Sequence, residues 1–170
     1  MVGSFFSRTT KFEHWNRWSE TLRSNPFQQE RVRLLKALVP SGVRRILDVG
    51  CGDGFFLEVA AREGFSVFGV DSSDAAAKAA KIPFALSNVS AIPFKDNSFD
   101  LVLCTEVLEN LPKNVLRSAL KELQRLSRKY LLIGVPYREE VLNHMSKCGF
   151  CTMFFTHGAI SRPSLLSDPC

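Results

Sequence analysis

Residues 46–56 read ILDVGCGDGFF. Two apolar residues lead into Asp48, Val49 follows it, and glycine then stands at 50, 52 and 54. An apolar run of this kind reads as a buried strand, and glycines straight after it mark a loop whose backbone must pass close to a ligand. The spacing narrows the ligand. A phosphate-binding P-loop needs Lys and Ser or Thr after its glycines, but here Phe55-Phe56-Leu57 follows. A dinucleotide fingerprint is G-x-G-x-x-G; this one is G-x-G-x-G, with a carboxylate two residues before the first glycine. That acid has the wrong sign for a pyrophosphate and the right sign for an ammonium group.

Outward from the loop, the chain alternates strand and helix. Arg44 to Val49, Ser66 to Val70, Phe84 to Ser87, Phe99 to Cys104 and Tyr130 to Val135 are the expected strands. Phe55 to Gly64 and Ala75 to Lys81 are expected helices. Another carries a stripe of Val115, Leu116, Ala119, Leu120, Leu123 and Leu126. Before the loop, Phe12, Trp15, Trp18 and Leu22 share one helical face, and Gln28 to Val39 is a second helix with Val32, Leu34, Leu35 and Leu38 inward. Thr152 to Phe155 is a further candidate strand.

The alternation gives an α/β fold, a doubly wound, mostly parallel sheet covered on both faces. The natural division is a helical lid over residues 1–40, a core over 41–136, and a C-terminal segment over 137–170 that reads as a shortened form of such a domain. In these sheets ligands bind at the carboxyl ends of the strands, where the glycine cluster falls. Asp71 ends the second strand, FSVFGVD, and an acid there accepts from two ribose hydroxyls. The site therefore asks for a ribose and a cation, which S-adenosylmethionine supplies.

Five segments in order resemble class I S-adenosylmethionine-dependent methyltransferases, nearest the group acting on small molecules: Ile46 to Gly54, Val70 to Ser73, Ser87 to Phe94, Asn97 to Cys104, and Thr105 to Leu111. The resemblance implies a Rossmann-like methyltransferase fold over roughly residues 40–136. It implies that Gly50, Cys51 and Gly52 pass the cofactor's methionine part, that Asp48 supports the loop or meets the ammonium, and that Asp71 and Ser72 hold the ribose. Asn88 and Val89 would meet adenine, and Thr105 would line the sulfonium end. The family usually has Asp where Asn88 stands, and often His where Asn110 stands. No general base declares itself; Glu106, Glu109, Tyr137 and His144 are the candidates, each with a structural alternative. The tetrapeptide that enzymes methylating exocyclic base amines carry after the fourth strand is absent.

The remaining readings are broader. The chain has 170 residues, 45% hydrophobic and 23% charged, with a net charge of +5. Residues 1–40 hold seven Lys/Arg against three Asp/Glu, so a nucleic-acid partner is conceivable, but a solvated helix face is favoured. No apolar run reaches the length of a membrane span. The basic, hydroxyl-rich start could be read as organelle targeting; a cytoplasmic protein is the favoured expectation. Five cysteines, an odd number, do not suggest a secreted disulfide framework. Cys148-x-x-Cys151 flanked by His144 and His157 has zinc-ligand spacing, and some family members carry a similar insert, but two free thiols are the favoured state. The expected function is methyl transfer to a small-molecule acceptor. A nucleic-acid or protein methyltransferase and a non-catalytic member acting through a partner are the alternatives.

Overall fold

The computed structural model describes residues 23–135 and, as backbone, the strands Met145–Lys147 and Phe154–Thr156. Helix α1 spans Pro26–Ala37. Pro26 opens it, and the Asn25 side chain accepts from the Phe27 amide at 2.9 Å, a standard helix start. Then follow β1 (Arg45–Val49), α2 (Phe55–Arg62), β2 (Ser66–Asp71), α3 (Asp74–Ala79), β3 (Phe84–Leu86), β4 (Phe99–Thr105), a 3₁₀ turn (Leu108–Asn110), α4 (Lys113–Leu126) and β5 (Ser127–Gly134). Most elements fall within one or two residues of the sequence expectation; β5 starts three residues earlier. The predicted helix at 12–22 lies outside the described residues.

The five strands form one parallel sheet in the order β3-β2-β1-β4-β5. The order reverses between β1 and β4, which opens a crevice at their carboxyl ends. Strand alternation divides the core. Leu47, Val49, Val102 and Cys104 face one way, against Ala119, Leu123 and Leu126 of α4. Ile46, Leu101 and Leu103 face the other way, against Val32 of α1 and Leu57 and Ala60 of α2. All seven residues of β4 are buried, as expected of a central parallel strand.

Three expectations need correction. Leu34 and Leu38 are 50% and 58% exposed, because α1 turns Val32 and Leu35 inward and those two leucines lie on another side of the helix. Leu120 is also largely exposed at the edge of the α4 stripe. At the edge strand β5, Tyr130, Leu131 and Ile133 are exposed rather than covered as the strand's apolar run suggested. The candidate strand near 152–155 appears as β7 (Phe154–Thr156), paired antiparallel with β6 (Met145–Lys147) in a separate two-stranded sheet. β6 had no signal in the sequence reading.

The one charge inside the β4 run, Asp100, is buried and fully engaged. Its carboxylate accepts from the amides of Arg44 and Arg45 at 2.9 and 3.0 Å and pairs with Arg128. Burial alone would raise its pKa, but Arg128 and the two amides outweigh it and hold it at about 2. This acid thus ties β1, β4 and β5 together at their amino ends. Replacing it (Asp100→Ala) leaves two amides without their acceptor and should cost about 3 kcal/mol in urea unfolding at pH 7. Because the folded value lies below the unfolded one, its contribution is present above pH 4 and lost as pH falls through about 2. The variant's unfolding free energy should therefore depend less on pH over that acid range than the wild type's.

Candidate functional site

β1 runs out at Val49, and the chain folds over the end of β2. The Gly50 and Cys51 amides both donate to the Val70 carbonyl, at 2.7 and 3.2 Å. The Gly52 amide donates to Asp71 Oδ2 at 3.0 Å, and Gly54 donates back to the Cys51 carbonyl at 3.0 Å. Gly50, Gly52 and Gly54 have φ of 81°, 55° and 75°, the left-handed region that side chains resist. Their surroundings differ. A Cβ on Gly50 would lie 2.2 Å from Cγ2 of Val107, whereas one on Gly52 would meet nothing within 4 Å. The loop is thus closed by Val107 at Gly50 and open at Gly52.

Cys51 enters the site by its backbone. Its thiol packs toward Gly69, where a Cβ would come within 2.6 Å of the sulfur, and burial pushes the thiol pKa well up.

Two carboxylates converge on this loop. Asp71 ends β2 with Oδ2 on the Gly52 amide and Oδ1 on the Ser73 amide at 2.9 Å. The helix cap of α3 is Ser73, whose Oγ accepts from Ala76 at 3.3 Å, so Asp71 is not that cap. A carboxylate has about four acceptor positions. One serves the loop, one serves Ser73, and two remain for a diol. Ser72, next to it, is exposed. Asp48 is buried near the end of β1, and burial pushes its pKa up to about 7, with Arg31 opposing and Asp71 adding to the rise.

Thr105 closes the crevice at the end of β4. It is buried, and its Oγ1 accepts from Nη2 of Arg31 at 2.5 Å. It lies against Gly134 of β5, where a Cβ would be 2.9 Å from the threonine methyl. Next in the chain, Glu106 has φ 60°, a strained conformation of the kind found at functional sites. Its amide bonds to the Gly134 carbonyl at 3.0 Å. Glu109 is exposed, and its Oε1 accepts from Asn110 at 3.4 Å. Tyr137, His144, Cys148, Cys151 and His157 lie outside the described residues. Among the described residues, no cluster of His, Cys, Asp and Glu could hold a metal.

The segment expected to meet adenine is pinned from α4. Arg125 donates to the carbonyls of Ile92 and Phe94 at 3.1 and 2.6 Å, and Glu122 accepts from the Ile92 amide at 2.9 Å. Val89 packs against the core. Asn88 is exposed, and its Oδ1 already accepts from the Ser90 amide and hydroxyl at 2.9 and 2.8 Å. That oxygen is committed to a local turn, which weakens the expectation that it receives an adenine amine.

Two site residues were missed from sequence. Arg31 reaches the crevice from α1. Its only signal was a basic residue one helical turn before inward Leu35. Arg23 donates to Asp53 Oδ2 at 2.6 Å and to both oxygens of Glu58 at 3.0 and 2.7 Å, and it lies over the Phe55 ring at 5.3 Å. It fastens the residues before α1 to the glycine loop and α2. A separate cavity of about 260 Å³ lies at the amino ends of the strands, lined by Lys36, Val39, Gly42, Phe56 and Phe65 among others.

The family described as a methyltransferase domain matches residues 47–130. The ubiquinone biosynthesis O-methyltransferase of Paracidovorax citrulli is 30% identical over 109 residues, covering 58% of this chain and 46% of the relative. The chain therefore spans under half the length of that curated relative. Among solved structures, an S-adenosylmethionine-dependent methyltransferase from Archaeoglobus fulgidus superposes with a TM-score of 0.56 at 27% identity, covering 67% of this chain and 54% of the other. A TehB-like S-adenosylmethionine-dependent methyltransferase from Corynebacterium glutamicum gives 0.61 at 24% identity, over 74% and 73%, which speaks for the fold alone.

The loop geometry separates its glycines by experiment. Gly50→Ala combines a disfavoured φ with overlap on Val107 and should lower stability by about 3 kcal/mol. Gly52→Ala meets only the φ penalty and should lower it by about 1 kcal/mol. Chemical denaturation of the two variants side by side checks the order. A glycine loop folded over the end of β2, acids at the ends of β1 and β2, and a 3-2-1-4-5 parallel sheet agree with the match of residues 47–130 to the methyltransferase domain family.

Proposed function

We propose that this chain binds S-adenosylmethionine through the glycine loop, Asp48 and Asp71, and directs its methyl group to a small-molecule acceptor. One observation carries the reading. Asp71 anchors the loop by the Gly52 amide while keeping acceptor positions for a ribose diol. The donor set fits the cofactor in charge as well: buried Asp48 suits an ammonium group, and neither Lys nor Arg occurs in the loop at 50–54 to meet a pyrophosphate. When bound, S-adenosylmethionine supplies a methyl group already activated by its sulfonium.

The chain's own residues have binding and aligning roles. Gly52, open to its surroundings, lets the methionine part approach the backbone, and the Cys51 backbone continues that surface. Asp71 with Ser72 holds the ribose, and Val89 with the turn at Asn88 borders the adenine. Thr105 lines the sulfonium end beside Arg31. The 1–40 segment, to which α1 belongs, closes the acceptor side as a lid. Where the acceptor carries a proton, Glu106, with its strained backbone beside Thr105, is the described candidate base; Glu109, Tyr137 and His144 remain secondary candidates. The name of the curated relatives favours an oxygen acceptor in a small molecule over nucleic acid. A cytoplasmic setting accords with the absence, among the described residues, of a helix able to cross a membrane. Zinc at Cys148 and Cys151 is not part of this reading.

A ligand that binds only the folded state raises its melting temperature. S-adenosylmethionine and S-adenosylhomocysteine should each raise it, and NAD should not. No shift with either compound at millimolar concentration would overturn the reading. Asp71→Ala should abolish the shift, while Asp71→Asn, which keeps one acceptor oxygen, should retain part of it.

A further inference from the structure

Arg31 has no part in the glycine loop, yet α1 delivers its guanidinium to the crevice between β1 and β4. Thr105 tethers it there at 2.5 Å, at the end of the strand beside Asp48. Asp48 is 7% exposed, and a carboxylate so deprived of water tends to keep its proton. The groups facing it are unequal. Asp71 from β2 is another acid and pushes toward protonation. Cys51 from the loop and Cys104 from β4 are thiols whose pKa values are pushed up by burial, so they bring no positive charge. Among the described residues, Arg31 is the cation that Thr105 holds at this strand end, and its charge opposes the rise in the Asp48 pKa.

We infer that Arg31 is a positioning residue whose charge favours the ionised form of Asp48, and with it the reception of the cofactor's ammonium group. The ammonium half of this inference rests on the function proposed above; the electrostatic half does not. Thr105 serves both by fixing where the guanidinium stands. The arrangement explains why an arginine occupies a half-buried place on the inward side of α1, where an apolar residue would pack more cheaply. It also gives the N-terminal segment a direct hold on cofactor affinity: displacing α1 removes the cation and lets Asp48 protonate.

The test is a carboxyl ¹³C titration of the ligand-free protein, with Asp48 assigned by Asp48→Asn. The wild-type inflection is expected near pH 7. Arg31→Gln should move it up by about one unit, and Arg31→Lys should leave it with the wild type. An inflection unmoved in Arg31→Gln overturns the inference. Should that variant fail to fold, Thr105→Val releases the tether and should shift the inflection in the same direction by less; no shift there is equally fatal. Calorimetry with S-adenosylhomocysteine supplies the second readout. Arg31→Gln should bind about fivefold more weakly at pH 7 and about equally at pH 9, the ratio expected when a one-unit shift changes the ionised fraction. A wild type that binds no S-adenosylhomocysteine overturns the cofactor reading, and the titration then judges the electrostatic half by itself.

Discussion

The fold of the loop at the end of β1 is the constraint on which the site depends. Three successive amides, Gly50, Cys51 and Gly52, are taken up by the last two residues of β2: two by the Val70 carbonyl and one by the Asp71 carboxylate. An amide without an acceptor is costly, so an acceptor where Asp71 stands favours closure of the loop over β2. The same loop needs positive φ at alternate residues, which glycine adopts without strain. Loop and acid therefore support each other, although they lie about twenty residues apart.

That requirement sets the charge balance of the crevice. Asp71 brings a negative charge close to Asp48, which burial has already made reluctant to ionise. Two acids in one crevice need a counter-charge, and it comes from a different layer of the fold, the helix α1. At the opposite end of the strands the problem is solved differently. Asp100 is as deeply buried, but two backbone amides and Arg128 hold it ionised, and its role is to join strands. Buried carboxylates at the two ends of one sheet thus differ in purpose because their hydrogen-bond partners differ.

The parallel sheet and the glycine cluster's place at its carboxyl ends were legible in the alternation of strand and helix; the strand order was not. Asp48, the three glycines and Asp71 were legible too, since each answers a local demand of backbone geometry or charge. The exposed apolar side chains of β5 were not, because an apolar run signals a strand without saying whether anything packs on it. The inward face of α1 was misread at Leu34 and Leu38, where two overlapping leucine stripes satisfied the same helical spacing. Asn88 is placed at the adenine by its position in the segment, and only the structure shows that its side-chain oxygen already accepts from Ser90.

The sequence by itself determined the parallel α/β architecture and the glycine loop with the two acids beside it. These follow from periodicity, from the φ only glycine adopts freely, and from the sign of two acids. Tertiary structure alone decided that Val107 closes over Gly50, that Arg23 clasps the start of α2, and that Arg31 stands beside Thr105. Each of those contacts joins residues thirty or more positions apart, and only the packing of helices on the sheet brings such residues within a few ångströms.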